Sequence, residues 1–128
     1  MSTPRHRTAR RHGEAGMVTA ETAVVLPVLL MVLAGAVAAV VVVGAQLRCV
    51  DAAREGARAA ARGDEHGRVV ALAAQAAPDG ARTDVAGDGE SVRVTVSATV
   101  SPLGPLPWRV EVTASATGVR EPAAGSPP

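Results

Sequence analysis

The 128-residue sequence is nearly devoid of aromatic residues: Trp108 stands alone, with no Phe and no Tyr. Proteins that hold single-stranded nucleic acid stack successive bases on several rings, so no nucleic-acid partner is expected. The same poverty limits the core. Beyond residue 62 the large apolar residues are mostly scattered Val and Leu, and a small domain built on them is marginally stable alone. Cysteine is almost absent as well. Cys49 is single, which excludes an intrachain disulfide, and its setting, Gln46-Leu47-Arg48-Cys49, is not a lipoprotein-type cleavage box. Two readings of it stay open, a bystander thiol and an intermolecular disulfide. Lysine is missing, and all 13 basic residues are Arg. Both cations serve most surface roles, so this bias excludes no function.

Catalytic constellations are lacking too. Asp64-Glu65-His66 places three possible metal ligands in succession, but consecutive side chains diverge on a helix, and helix-start acids beside a surface His explain them. Ser91, Ser97, Ser101 and Ser115 have only His66 as a possible base on the exterior side of the apolar run, with no triad spacing or nucleophile elbow. No enzyme, metal or cofactor is expected.

What the sequence has is one long apolar run. Thr22 to Ala45 is 24 residues without a formal charge, rich in Val, Leu and Ala. As a helix at about 1.5 Å per residue it spans about 36 Å, more than the roughly 30 Å hydrocarbon core of a bilayer. No other segment could cover such a helix on all sides, so a transmembrane span and a membrane-lipid environment are expected. The net charge of +1 hides an asymmetry: Arg5, Arg7, Arg10 and Arg11 against Glu14 give residues 1–16 a charge of +3. A basic flank on this side predicts a cytoplasmic N-terminus and an exterior C-terminal part. Pro27 interrupts the run and frees the Ala23 carbonyl; it reads either as a simple transmembrane kink or as a weak point that repacks during assembly. A cleaved signal peptide ending at Val43-Gly44-Ala45 competes with the span, though such peptides use apolar regions of only about 7–15 residues. Arg10-Arg11 suggests a twin-Arg signal, but His12-Gly13 follow in place of an apolar context.

Between the Arg cluster and the run lies Gly16-Met17-Val18-Thr19-Ala20-Glu21. A basic leader ending in Gly, with a carboxylate five residues later at the head of the helix, resembles the cleavage site of type IV prepilins. The resemblance implies a cut between Gly16 and Met17 by a membrane-embedded prepilin peptidase, leaving Glu21 as the fifth mature residue. Near a helix N-terminus a carboxylate is favoured by the helix dipole. Carried alone into apolar surroundings it costs at least about 2.5–3.5 kcal/mol. By analogy with pilins, the α-amine of a neighbouring subunit would neutralise it. The alternative is an interfacial acid capping an unprocessed helix.

Gln46 to Arg62 reads as the same helix continued beyond the membrane: Ala-rich, free of Pro, and stopped at Gly63. Ala52, Gly56 and Ala60 fall at spacing four, as do Ala53, Ala57 and Ala61. Two such rows let another helix approach closely, and nothing else in this chain could cover both. A helix-packing surface in an assembly and a solvated stalk are the two readings. Glu21-Thr22-Ala23-Val24-Val25-Leu26-Pro27, the apolar run, and Asp51-Ala52-Ala53-Arg54-Glu55-Gly56-Ala57-Arg58 together resemble the TadE-like family over residues 16–62. These are pseudopilins or minor pilins of tight-adherence type IV pilus systems. The resemblance implies a role in pilus assembly and, as partners, other pilin-like subunits, the assembly machinery and the peptidase. Thr22 departs from the aromatic residue the family often carries after the Glu.

The remainder predicts an α+β, pilin-like architecture. Asp64 to Ala77 suggests a short helix with Val69, Val70, Leu72 and Ala73 on its apolar side, ended by Pro78. A strand over about 81–86 is weakly marked. Ser91–Val100 and Trp108–Thr117 alternate apolar and polar residues, with Val92, Val94, Val96, Ala98 and Val100, and Trp108, Val110, Val112, Ala114 and Ala116, facing inward. Gly87-Asp88-Gly89 supplies a turn and Ser101 to Pro107 a longer connection, giving a helix on an antiparallel meander. The expected division is a leader at 1–16, span and stalk at 17–62, an exterior domain at 63–120 and a disordered tail at 121–128.

Overall fold

The computed structural model describes residues 11–122, with side chains from Gly13 onward. Most of the basic leader and residues 123–128 of the expected tail lie outside the described residues. Five elements follow in order: α1 (Arg11–Ala61), α2 (His66–Ala76), β1 (Arg82–Gly87), β2 (Ser91–Val100) and β3 (Val110–Val119). The expected α+β class, with a long apolar helix, a short helix and a three-stranded antiparallel sheet, is what the chain adopts.

Two units divide after Ala36, and α1 contributes to both. The first is helical throughout its described part. Its large side chains are uncovered, Val24 by 68% and Leu33 by 60%, so this is not the core helix of a globular domain. Two hydroxyls on this helix, those of Thr19 and Thr22, turn back to its own backbone. They donate to the carbonyls of Ala15 at 2.8 Å and Val18 at 2.9 Å, one turn back. Every backbone donor and acceptor in lipid needs such an internal partner, and side-chain hydroxyls gain from the same arrangement. The helix passes through Pro27 without a break in assignment.

The second unit, from Val37, holds the core. Ala45, Cys49, Ala52, Ala53, Gly56, Ala57, Ala59 and Ala60 form a buried stripe along α1, the spacing of three and four expected of one helix face. Across the sheet the order is β1-β2-β3, all antiparallel. Pairing sets Val94 between Val85 and Ala116, and Val96 between Thr83 and Ala114. Val92, Val94, Val96 and Ala98 are buried on one face, while Arg93 and Thr99 on the other are exposed. From α2 the buried contribution is Val69 and Ala73, with Val70 and Leu72 half-buried.

Local signals set the corners. Gly63 adopts φ +82°, its N–H reaches the Ala60 carbonyl, and the Asp64 N–H reaches that of Ala59. This is a Schellman termination, which needs a residue free to enter the left-handed region and so uses Gly63. Between β1 and β2, Asp88 accepts from the backbone N–H of Ser91 at 3.0 Å and from its hydroxyl at 3.1 Å. Those bonds hold the Asp88 carboxyl below its ordinary range.

Two expectations are corrected. Of the two readings of the segment after the apolar run, the solvated stalk does not hold, and the packing surface meets this chain's own α2 and sheet: Cys49, Ala52 and Ala59 are 0% exposed. The second unit therefore begins well before residue 63, and Val42 and Ala45 of the apolar run join its core. Trp108 is not an inward strand residue. It precedes β3 and is 60% exposed, its N–H turned back to the Leu106 carbonyl at 2.7 Å. Pro107 has no N–H for a ladder, so pairing begins only at Val110, opposite Val100.

Candidate functional site

The processing residues named from sequence lie on the N-terminal part of α1. Gly16 and Met17 are both inside the helix, and a Cβ built on Gly16 meets nothing within 4 Å. Packing therefore does not demand glycine here, while in a helix interior it costs about 1 kcal/mol relative to Ala. Glu21 is exposed on the same helical face as Val18, Val25 and Leu29. Among the described residues no basic group lies within ion-pair distance of it. The arrangement is one carboxylate, beside Thr22, on an exposed surface of Val and Leu side chains.

The two small-residue rows are brought together, but with a partner the sequence did not reveal. A Cβ on Gly56 would stand 2.9 Å from Val94 Cγ1 and 3.3 Å from Ala73 Cβ. Gly56 is thus where α1, α2 and β2 meet. On the other row, a Cβ on Gly118 of β3 would stand 2.5 Å from the Ala57 carbonyl oxygen and 3.3 Å from Ala61 Cβ. The expectation that nothing in this chain could cover both rows is therefore overturned. A three-stranded sheet built on small side chains comes as close as a second helix would, and the chain carries both.

Two polar residues missed in the sequence fasten this joint. Gln46 Nε2 donates to the Thr113 carbonyl of β3 at 3.0 Å, and Arg48 Nη2 donates to the Ala77 carbonyl at the end of α2 at 3.1 Å. Their only sequence signal was position, polar groups immediately after the apolar run. The other basic residues of the segment face outward, with Arg58 3.8 Å from Glu55. Cys49 is fully buried in the joint, and burial pushes its thiol above the ordinary value of 9.0 despite the neighbouring Arg48 charge. In this fold it is not available to a second chain. Asp64 of the Asp64-Glu65-His66 run pairs with Arg62 at 3.3 Å and Arg68 at 3.8 Å. Among the described residues no group of three or more His, Cys, Asp or Glu side chains could hold a metal ion.

Residues 16–58 match the family model described as TadE-like protein. A curated relative, apoptosis inhibitor Rv3655c of Mycobacterium tuberculosis, is 41% identical over 102 residues, covering 80% of this chain and 78% of that protein. The chain belongs to the TadE-like family. Its family-matched segment lies wholly within α1, from Gly16 to Arg58. The relative extends the similarity well beyond that helix, over most of the chain. No solved structure matches. Membership in the TadE-like family, together with a long exposed apolar helix, makes this a membrane-associated, pilus-related protein.

Proposed function

We propose that this TadE-like protein is a minor pilin or pseudopilin that takes part in assembling a tight-adherence type IV pilus. The observation that carries the reading is Glu21, an exposed carboxylate near the start of α1, whose apolar side chains from Met17 to Leu33 are exposed among the described residues. The basic leader keeps the N-terminus cytoplasmic and the packed unit exterior. A prepilin peptidase cuts after Gly16, removing the Arg cluster and creating a positive α-amine on Met17. Glu21 then lies about 6 Å further along the helix axis, one turn away. An unpaired carboxylate in hydrocarbon costs at least about 2.5–3.5 kcal/mol, so pairing with the α-amine of a neighbouring subunit favours lateral association in one register. The role is mechanical: insert, lose the leader, pack through the apolar half of α1. Because Gly16–Met17 lies within α1, the peptidase must first unwind the helix start, and the glycines at 13 and 16 make that stretch easy to open.

The signal-peptide alternative loses ground on a specific observation. A cut after Ala45 would remove Val42 and Ala45 from the core of the packed unit. The experiment is determination of the mature N-terminus in the native host, with Gly16→Asp as a companion. A start at Met17, lost in the variant, is expected. A start at Gln46 would sink the pilin reading in favour of secretion, and an intact leader would leave an unprocessed envelope anchor.

A further inference from the structure

The connection between β2 and β3 faces a place that the pilus reading does not use. Two contacts fix how β3 runs along α1 within the second unit. Thr113 is opposite Gln46, and Gly118 is opposite Ala57. Five strand residues advance about 16.5 Å at about 3.3 Å each. Eleven helical residues advance about 16.5 Å at about 1.5 Å each. The two lengths agree, so β3 runs nearly along α1 and in the same direction.

Extending this back, Val110 lies about 10 Å before Thr113, level with about Ala39 of α1. Val100 pairs with Val110 and ends at the same height. The whole loop, Ser101–Arg109, therefore sits at the level of the last turns of the apolar run. Burial agrees: Ala38 is half-buried while Ala39 and Val40 beside it are exposed. Val40 is 73% exposed and Leu47 60%, so apolar α1 surface continues past this height on the side away from the sheet.

The loop has the composition for such a place. It carries the only aromatic residue in the protein, and Arg109 is its single ionisable group. Pro102 is buried and anchors it, Gly104 takes φ +63°, and the Leu103 and Leu106 carbonyls accept the turn hydrogen bonds. Leu106 and Trp108, 55% and 60% exposed, are thereby held outward by a stiff backbone with Pro on both sides of Leu106. Trp is enriched at membrane–water interfaces, where an amphipathic ring meets headgroups.

We propose that the β2–β3 loop is a second membrane contact, with Leu106 and Trp108 seated in the interfacial region of the bilayer beside the exit of α1. The occupant is the lipid surface itself, continuous with the lipid around α1. This rests on the apolar run crossing a membrane. With two contacts instead of one, rotation and tilt of the packed unit relative to the bilayer are restrained, and leaving the membrane requires releasing the loop as well as the helix.

Trp108 reports on itself, because no other aromatic side chain contributes to emission. The full chain is reconstituted in phosphatidylcholine–phosphatidylglycerol vesicles. Expected are a blue-shifted emission, protection from aqueous iodide, and a large loss of intensity when the phosphatidylcholine is brominated high on its acyl chains. Free quenching by iodide with no response to brominated lipid overturns the proposal. So does protection from iodide without a response to brominated lipid, the signature of burial against another protein copy. A Trp108→Leu, Leu33→Trp chain reports the span and should be quenched most by bromines at the chain ends. If that control fails, the span and the loop contact fall together. If it succeeds while Trp108 is unquenched, the loop contact alone is wrong.

Discussion

Replacing Gly56 by Ala pits two effects against each other, and the structure decides which wins. In an isolated helix the change stabilises by about 1 kcal/mol, since Ala is the best helix former and Gly among the worst. Here the new methyl would stand 2.9 Å from Val94 Cγ1 and 3.3 Å from Ala73 Cβ. Val94 is 0% exposed and lies in the central strand. Being β-branched, it has little rotamer freedom with which to yield. Overpacking of this kind costs about 1–3 kcal/mol, which leaves a net destabilisation of about 1 kcal/mol. That is about a fivefold rise in the open population of the packed unit. Cys49, also 0% exposed, supplies the assay. At fixed pH its alkylation rate in detergent or vesicles should rise about fivefold in Gly56→Ala, provided reclosing outpaces the reagent. A Val94→Ala change adds a diagnostic. Alone it destabilises, but combined with Gly56→Ala it gives room to the new methyl, so the pair should lose at least about 0.5 kcal/mol less than the sum. Slower alkylation in Gly56→Ala, or strict additivity, would show that Gly56 is only a poor helix former and that the α1–α2–β2 contact carries no weight.

Two further outcomes are expected. Gly118→Ala should destabilise more than Gly56→Ala, by about 2–3 kcal/mol in thermal or urea unfolding. The obstacle is the Ala57 carbonyl at 2.5 Å, backbone that no rotamer change can move, and a loss no larger than that of Gly56→Ala would refute this account. The second concerns pH. Burial raises the Cys49 thiol above its ordinary value of 9.0, so the unfolded chain ionises before the folded one. Its contribution is fully present below about pH 9.0 and is lost as the pH climbs through the higher folded value. The urea midpoint should therefore fall on alkalinisation in the parent protein and fall less in Cys49→Ala; equal slopes would contradict the burial argument.

The apolar run, its exposure, the α+β class and the alternation of β2 were legible because each follows from a local period or a length. The turn at Gly87-Asp88-Gly89 and the stop at Gly63 were legible because only certain residues enter those backbone conformations. Trp108 was misassigned for an instructive reason. Period-two alternation continues backward from Val110 through Trp108, but pairing register ends with Val100, and the Trp108 N–H is used in a turn. The small-residue rows on α1 were visible as a surface of close approach, yet a stripe does not name its partner. Gly16 and Glu21 were legible as a motif, and their spacing on one apolar helix is all that local structure adds.

By itself, then, the sequence determined a long apolar helix with a basic flank, a carboxylate near its head and a strip of Ala and Gly beyond it. These depend on residues near one another along the chain. Tertiary structure alone decided that α2 and the sheet cover that strip, that Gln46 and Arg48 lock it through the carbonyls of Thr113 and Ala77, and that the lone tryptophan is left outside. Those outcomes depend on which distant segments can approach a backbone bare of side chains. That approach is governed by strand register and by clearances of a few tenths of an ångström, neither of which a helical or strand period encodes.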